Sequence, residues 1–263
     1  MDAAVILARA LCCGAVVWLM IRAIDGAPPP VAAWIIALPM TMAAGLLAIA
    51  GTQDDGFVLT AARGAAMSLP AMLTFVIVAA RLFDRLAASR LLGASLLAWL
   101  AVIAAITATG PWTLVQSLTA ITAAVVLSHL VLPIRVAFTA RAAAAARRRA
   151  WIPALQAVSM VLVLSAISGR VGPVFSAWIA AAPMALTFVT LGMKRSGSRN
   201  AQATYQSARL GVPALFTYLA AVAILTPRIG GTAATLAALL PSLGLSALIV
   251  AGRLILTPKE IAP

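Results

Sequence analysis

Charged residues, and acidic ones above all, are scarce in this chain. Only 10% of its 263 residues are Asp, Glu, Lys or Arg, and 63% are hydrophobic, whereas a soluble domain is about 25% charged and about 45–50% apolar. Such a chain cannot hide its apolar surface by folding on itself, so lipid must be its solvent. Its long unbroken apolar runs indicate helices and not a barrel. We therefore predict an all-α, polytopic integral membrane protein of a bacterial-type inner membrane.

Residues that carry most enzyme chemistry are also few. The only two cysteines, Cys12 and Cys13, are adjacent within an apolar run, and His129 is the only histidine. All six carboxylates fall in termini or predicted loops, so no predicted span carries the acidic residue of many ion-coupled carriers. Metal sites need several ligands, and nucleophilic catalysis needs a base beside the nucleophile. We expect no enzymatic activity, no cofactor and no metal site.

Basic residues, in contrast, give the chain a net charge of +13. Basic runs bind nucleic acid in many proteins, but here they separate apolar segments of about 20 residues. The preference of Lys and Arg for cytoplasmic loops, together with anionic lipid head groups, accounts for them. We therefore expect membrane lipids and a small-molecule or lipid substrate as partners, and no nucleic acid.

Nine apolar segments have the length of about 17–25 residues that a bilayer requires. Their predicted bounds are 3–21, 30–50, 64–80, 91–109, 111–133, 150–169, 173–193, 210–226 and 232–252. With this count, fifteen of the 19 Lys and Arg residues fall on one side of the membrane and four on the other. That excess predicts a periplasmic N-terminus and a cytoplasmic C-terminus.

Two segments of the chain recur in the same order. The sequence AWIIALPM at 33–40 resembles AWIAAAPM at 177–184, and PAMLTF at 70–75 resembles PALFTY at 213–218. The copies lie five predicted spans apart. Because five is odd, corresponding helices should cross the membrane in opposite directions, as in the inverted repeats of many secondary transporters. We predict an N-terminal repeat at 1–134 with about five helices, a basic cytoplasmic linker at 135–149, and an inverted C-terminal repeat at 150–263 with about four.

Prolines near the middle of two predicted spans mark the candidate substrate site. Pro39 and Pro183 each remove one helical hydrogen bond, and in lipid only neighbouring helices or a cavity can compensate for such a break. The predicted substrate-binding residues flank these breaks and the second repeated segment: Trp34, Pro39, Thr41, Thr74, Trp178, Pro183, Thr187 and Thr217. Structural interpretations stay open, since prolines can kink packed helices, threonine bonds the carbonyl one turn back, and tryptophan anchors at interfaces.

Four further polar residues are candidates for the same pathway. His129 and Gln116, in the most polar predicted span, are candidates for a proton or polar relay. Arg63 and Arg209 precede the two copies of the second repeat and are candidates for anion attraction at opposite faces. Interfacial placement of His129 and ordinary snorkelling of the arginines are the alternatives.

Together these features favour a small secondary permease or facilitator that moves a small organic solute, neutral or anionic, across the inner membrane by alternating access. A lipid or polyprenyl-lipid flippase is the second hypothesis, because it needs a lateral groove and basic residues but no ion-coupling acid. A scaffold subunit of a membrane complex is the third.

Overall fold

A computed structural model describes residues 3–24, 39–132, 151–183, 186–187, 190–191, 194 and 201–256. The regular elements in these residues are all helices: α1 Ala3–Ile24, α2 Met40–Ala50, α3 Asp55–Leu82, α4 Ala88–Ala108, α5 Leu114–Val131, α6 Trp151–Ala181, α7 Ala201–Ile229, α8 Gly231–Ala237 and α9 Leu239–Leu256. Within them, six helical segments are long and apolar enough to cross a membrane: 55–82, 88–108, 114–131, 157–181, 208–229 and 231–249. The prediction of an all-helical membrane protein is confirmed. The count of nine spans stays a prediction, and the linker 135–149 lies outside the described residues.

Glycines interrupt the helices at two points where the sequence predicted a boundary. Gly110, between α4 and α5, has a φ of 82°, a backbone conformation that glycine adopts without steric cost. Gly172 has a φ of 80° and a ψ of 170°, which breaks α6 into a first arm, 151–171, and a second arm, 173–181. The predicted boundary between the spans at 150–169 and 173–193 falls at this break.

The centre of the bundle is formed by α3 and α7, which have 28 and 29 residues. The predicted spans at 64–80 and 210–226 were therefore too short. These predicted spans began directly after Arg63 and Arg209, because a span predicted from an apolar run is bounded by the nearest charged residue. A helix enclosed by other helices tolerates polar residues that a lipid-facing helix does not, and 61% of an 18-residue stretch of α3 is buried, against 17% for α5.

These two central helices pack side by side in opposite directions. At one end of the bundle, the Asp55 carboxylate accepts a hydrogen bond from the Gly231 N–H, just beyond the end of α7, at 2.6 Å. At the other end, the rings of Phe83, which follows α3, and Tyr205, near the start of α7, lie edge to face with centroids 6.2 Å apart. We name these the Asp55 end, comprising residues 50–56, 168–172 and 229–232, and the Arg209 end, comprising residues 81–86, 128–132, 194 and 205–209.

α2 terminates at the Asp55 end. There the Thr232 hydroxyl donates to the Ala50 carbonyl at 3.2 Å. The first arm of α6 reaches the same end, since the Gln53 amide donates to the Ser168 hydroxyl at 3.1 Å.

The chain after Gly172 travels the other way. It leaves the Asp55 end with the second arm of α6, passes Pro183 and arrives at the Arg209 end with Lys194, whose ammonium donates to the Phe83 carbonyl. α2, which follows Pro39, runs toward the Asp55 end and stops there. The helical segments that follow the two prolines therefore run in opposite directions.

Small residues let these segments approach closely. A Cβ added to Gly45 of α2 would lie 2.9 Å from the Cβ of Ala180 on the second arm, and one added to Gly64 of α3 would lie 3.4 Å from the Cβ of Ala177. Helices in membranes associate through such contacts because lipid offers them no hydrophobic driving force. The crossing of α2 and α3 with the second arm is thus closely packed.

Candidate substrate site and indole groove

Pro39 and Pro183 each stand at the start of a helical segment. Pro39 precedes α2, and its carbonyl accepts the Ala43 N–H at 2.7 Å; Pro183 follows the end of α6, and its carbonyl accepts the Thr187 N–H at 2.9 Å. Both prolines are buried. Because proline has no N–H, it cannot extend the preceding helix. Protein encloses the break at Pro183, which is the condition under which a broken helix persists in lipid, whereas the residues before Pro39 lie outside the described part of the chain.

The two breaks lie at a similar depth. Eleven residues separate Pro39 from Ala50, and eleven separate Gly172 from Pro183. At 1.5 Å per helical residue, each break is about 16 Å from the Asp55 end, which is roughly half of a hydrocarbon core about 30 Å thick. Both prolines therefore occupy the middle of the bundle.

Three of the four predicted threonines donate to the carbonyl of the proline four residues earlier. The bonds are Thr74 to Pro70 at 3.1 Å, Thr187 to Pro183 at 2.9 Å and Thr217 to Pro213 at 3.0 Å. This is the local bonding expected of helical threonine. Their hydroxyl protons are in use, so these side chains can offer a solute only acceptor lone pairs. Thr41 is half-buried and does not share this pattern.

The two copies of the second repeated segment lie at a similar depth in the bundle. The middle of α3 falls between residues 68 and 69, and that of α7 at residue 215. Since the two helices are antiparallel and adjacent, the segments 70–74 and 213–217 lie at the same depth. The structure thus places two predicted site residues, Thr74 and Thr217, on adjacent central helices, although they are 143 positions apart in sequence.

Trp34 lies outside the described residues, whereas Trp178 lines a groove between α4 and the second arm of α6. The groove has a volume of about 780 Å³, and the rings of Phe175 and Trp178 meet edge to face within it, with centroids 5.0 Å apart. Its lining consists of Trp99, Leu100, Ile103, Ala104, Thr107, Ala108, Phe175, Trp178, Ile179 and Ala182. We name it the indole groove.

The indole groove opens on the side of the bundle, and its two tryptophans lie at different depths. Trp99 lies nine residues before the end of α4, about 14 Å inside the bundle. Leu100 and Phe175 on its rim are 51% and 58% exposed, so the groove opens sideways, toward the surface that faces lipid. Trp178 lies six residues after Gly172, about 9 Å from the Asp55 end, so its interpretation as an interfacial anchor stays open.

His129 and Gln116 are not close together. Thirteen helical residues separate them, about 20 Å along α5, and both are exposed. His129 Nδ1 lies 2.8 Å from the Val125 carbonyl oxygen. Gln116 and Thr113 form a reciprocal cap at the start of α5, in which the Thr113 N–H donates to Gln116 Oε1 at 2.8 Å. A relay role stays a prediction for both residues.

Arg209 lies in the interior and binds the end of a neighbouring helix. Its side chain is 0% exposed, and Nη1 donates to the carbonyls of Ser128 at 2.9 Å and Leu132 at 3.0 Å. The last carbonyls of a helix have no partner within it, and a cation there also interacts favourably with the helix dipole. Arg63 is exposed on α3. These contacts do not test the prediction that either arginine attracts anions.

Two more cations bind helix ends nearby. Arg81 donates through Nε and Nη2 to the Val131 carbonyl, at 3.2 and 2.5 Å. Lys194 donates to the Phe83 carbonyl and lies 4.4 Å from the centre of the Phe83 ring. From the sequence alone, we expected these residues to act only as loop charges. These contacts could have been predicted from the sequence, because both residues are close to predicted helix ends and Lys and Arg commonly bond terminal carbonyls.

Tyr218 is the buried polar residue that sequence reasoning missed. It is 0% exposed within the main core cluster, and its hydroxyl has no hydrogen-bond partner among the described residues. Tyr205, the only other tyrosine, is equally buried, but its hydroxyl lies 2.6 Å from Thr190 Oγ1. The signal was in the repeat, where Tyr218 stands at the position of Phe75 in the first copy.

Comparison of the chain with protein-family models, with curated proteins and with solved structures gives no match. In the described part of the chain, no three His, Cys, Asp or Glu residues are grouped so that they could hold a metal ion. Function must therefore be inferred from the helices themselves, from the prolines at which helical segments begin and from the few polar groups between the helices.

Proposed function

We propose that this chain is a nine-span secondary permease or facilitator, built from two inverted halves, that moves a small organic solute across the inner membrane by alternating access. The observation that carries the proposal is the opposite direction of the segments that follow Pro39 and Pro183. In transporters with inverted repeats, the solute binds at mid-depth between such broken helices. Rocking of one half against the other would expose that site to each side in turn.

The order of the helices supports this division. Each half contains a helix, a proline at which a helical segment begins, a long helix with an internal proline and a further helix. In the first half these are α1, the segment around Pro39, α3 and α4; in the second they are the two arms of α6 with the segment around Pro183, then α7 and α8–α9. α5 has no counterpart, which agrees with a first repeat of about five helices and a second of about four.

The distribution of charge supports an orientation. Arg81, Arg85, Arg90, Lys194 and Arg209 lie at or near the Arg209 end, whereas Arg170 and Arg228 lie at the Asp55 end and Arg63 lies in the half of α3 nearer to it. By the positive-inside rule, this excess supports a cytoplasmic Arg209 end and C-terminus and a periplasmic N-terminus. Reporter fusions to each terminus, one active only in the periplasm and one only in the cytoplasm, test this assignment.

Solvent access at mid-depth tests the transport mechanism. In a background in which Cys12 and Cys13 are replaced by alanine, Thr41→Cys and Thr187→Cys should each react with a membrane-impermeant thiol reagent. Because the two halves open alternately, conditions that increase labelling of one position should decrease that of the other. Complete protection of both positions in every condition would refute the proposal.

Two control positions separate a water-filled pathway from other environments. Ala61 is 0% exposed on α3, and Leu248 is 69% exposed on the apolar surface of α9. Ala61→Cys should stay unreactive because protein covers it, and Leu248→Cys because lipid does. Labelling of Leu248→Cys at the rate of Thr187→Cys would show that the reagent reports something other than a central pathway.

A flippase for lipids or polyprenyl lipids is a second candidate, because the indole groove opens sideways and could admit an acyl or prenyl chain. Transfer of short-chain fluorescent lipids between leaflets of proteoliposomes tests it. Trp178→Ala should slow transfer, and Leu248→Ala should not. Absence of transfer for several head groups would eliminate this candidate and leave the permease.

A further inference from the structure

The hydroxyl of Tyr218 is buried in the main core cluster and has no hydrogen-bond partner within the part of the chain that the structure describes. A buried polar group that lacks a partner is destabilising, and native proteins contain few of them. Phenylalanine fills nearly the same volume without this cost, and Phe75 does so at the matching position of the first repeat, where it is also 0% exposed. Folding alone therefore does not explain a tyrosine at position 218.

Tyr218 lies at the level of the two proline breaks. Eleven residues separate it from Ile229 at the Asp55 end, so its depth is about 16 Å, equal to that of Pro39 and Pro183. It also belongs to the same continuous core cluster as Ala43 and Ala181, which adjoin those breaks. The unpartnered hydroxyl is thus at the depth where the proposed permease would bind its solute.

The donors and acceptors at this depth indicate what kind of solute fits. Thr217, which precedes Tyr218, already donates its hydroxyl proton to the Pro213 carbonyl, and Thr187 donates to the Pro183 carbonyl. The Tyr218 hydroxyl has no such partner among the described residues. A phenol is a good donor to a carboxylate oxygen. The carboxylates among the described residues, Asp54, Asp55 and Asp84, lie at helix ends and would not repel an anion at mid-depth.

We propose that the Tyr218 hydroxyl donates a hydrogen bond to a small carboxylate solute at the mid-depth site. This inference rests on the permease function proposed above. The hydroxyl is enclosed in this structure, so the solute reaches it only when the two halves move apart, which is the motion that alternating access requires.

Fluorine labelling tests solute binding directly. Because the chain has only two tyrosines, incorporation of 3-fluorotyrosine into the full chain in lipid nanodiscs gives two ¹⁹F signals, which Tyr218→Phe and Tyr205→Phe assign. Titration with acetate, lactate and succinate should shift the Tyr218 signal saturably and leave that of Tyr205 in place. Urea and glycerol should shift neither. The absence of a shift with all three acids, or a shift with the neutral solutes alone, would overturn the proposal.

Uptake and stability measurements separate a binding role from a structural one. Tyr218→Phe should raise the KM for uptake of the shifting acid into proteoliposomes by about tenfold, the value of one hydrogen bond to a charged group, without lowering Tm. Tyr205→Phe should lower Tm and leave KM unchanged. Wild-type KM in Tyr218→Phe, or a Tm loss equal to that of Tyr205→Phe, would overturn the carboxylate contact while the permease stands. Absence of uptake by the wild-type protein for every solute would overturn both.

Discussion

At the Asp55 end of the bundle, carboxylates bind backbone N–H groups, whereas at the Arg209 end cations bind backbone carbonyls. Asp54 accepts the Phe57 N–H at 2.8 Å at the start of α3, and Asp55 accepts the Gly231 N–H at the start of α8. Arg209 and Arg81 instead donate to the last carbonyls of α5. Helix N-termini carry a partial positive charge and C-termini a partial negative one. Charged residues near the membrane surfaces thus hold helix termini together, in addition to setting orientation.

The two ends differ in how deeply these charges are buried. Arg209 is 0% exposed, whereas Asp54, Asp55 and Arg81 are exposed. Water screens exposed charges and replaces their partners when one is removed, but a buried group whose partner is lost stays unsatisfied. The Arg209 end should therefore contribute more to stability, and within it the buried arginine should contribute more than the exposed one.

The largest effect is expected for Arg209→Met. This change preserves much of the side-chain volume but leaves the Ser128 and Leu132 carbonyls without their cation, so it should lower the free energy of unfolding by about 3 kcal/mol. Unfolding of the purified protein in mixed micelles measures the loss. Arg63→Met is the matched control, since Arg63 is exposed on α3, and it should change stability little. Equal effects of the two substitutions would contradict the comparison of buried and exposed charge.

A smaller effect is expected for Asp55→Ala at the opposite end. The substitution removes the acceptor of the Gly231 N–H at the start of α8 and should cost about 1 kcal/mol, as loss of a helix cap does. Asp55→Asn keeps an acceptor oxygen and should recover most of the stability. If Asp55→Ala destabilises the protein more than Arg209→Met in the same micelles, the proposed order of the two ends is wrong.

The smallest effect is expected for Arg81→Ala. Its guanidinium binds the Val131 carbonyl, next to the carbonyls that Arg209 binds, but is exposed, so the change should lower Tm by no more than about 2 °C. High salt should reduce even this difference between variant and wild type, because exposed charges are screened. A salt-independent loss as large as that of Arg209→Met would show that Arg81 is effectively buried in the membrane-embedded protein.

Much of the architecture could be predicted because its causes are local. Apolar composition and run length led to helices in lipid, and Gly110 and the region of Gly172 indicated boundaries that the backbone conformation confirms. The repeated segments also located Pro39 and Pro183, at which helical segments begin. Each of these conclusions depends on residues within a few positions of one another, where chain geometry and solvent preference act directly.

Other features depended on contacts between distant parts of the chain. The predicted spans on α3 and α7 ended at Arg63 and Arg209, whereas both helices continue past these charges. On α7 the reason is that neighbouring helices bury Arg209, which hydropathy does not register. The partners of Arg209 are 77 and 81 positions away, so nothing near it in sequence indicated that it binds a helix end. The hydroxyl of Tyr205 has a partner, whereas that of Tyr218 has none in the described ranges, although both residues are fully buried on the same helix.

The amino-acid sequence by itself determined the solvent of this protein, its helical class and the places where its helices break, because each follows from the chemistry of short segments. Only the tertiary structure decided which polar groups are satisfied, which face lipid and which lie enclosed at mid-depth. The physical reason is that burial and hydrogen bonding in a helical bundle are set by the neighbouring helices, and those neighbours come from remote positions in the chain.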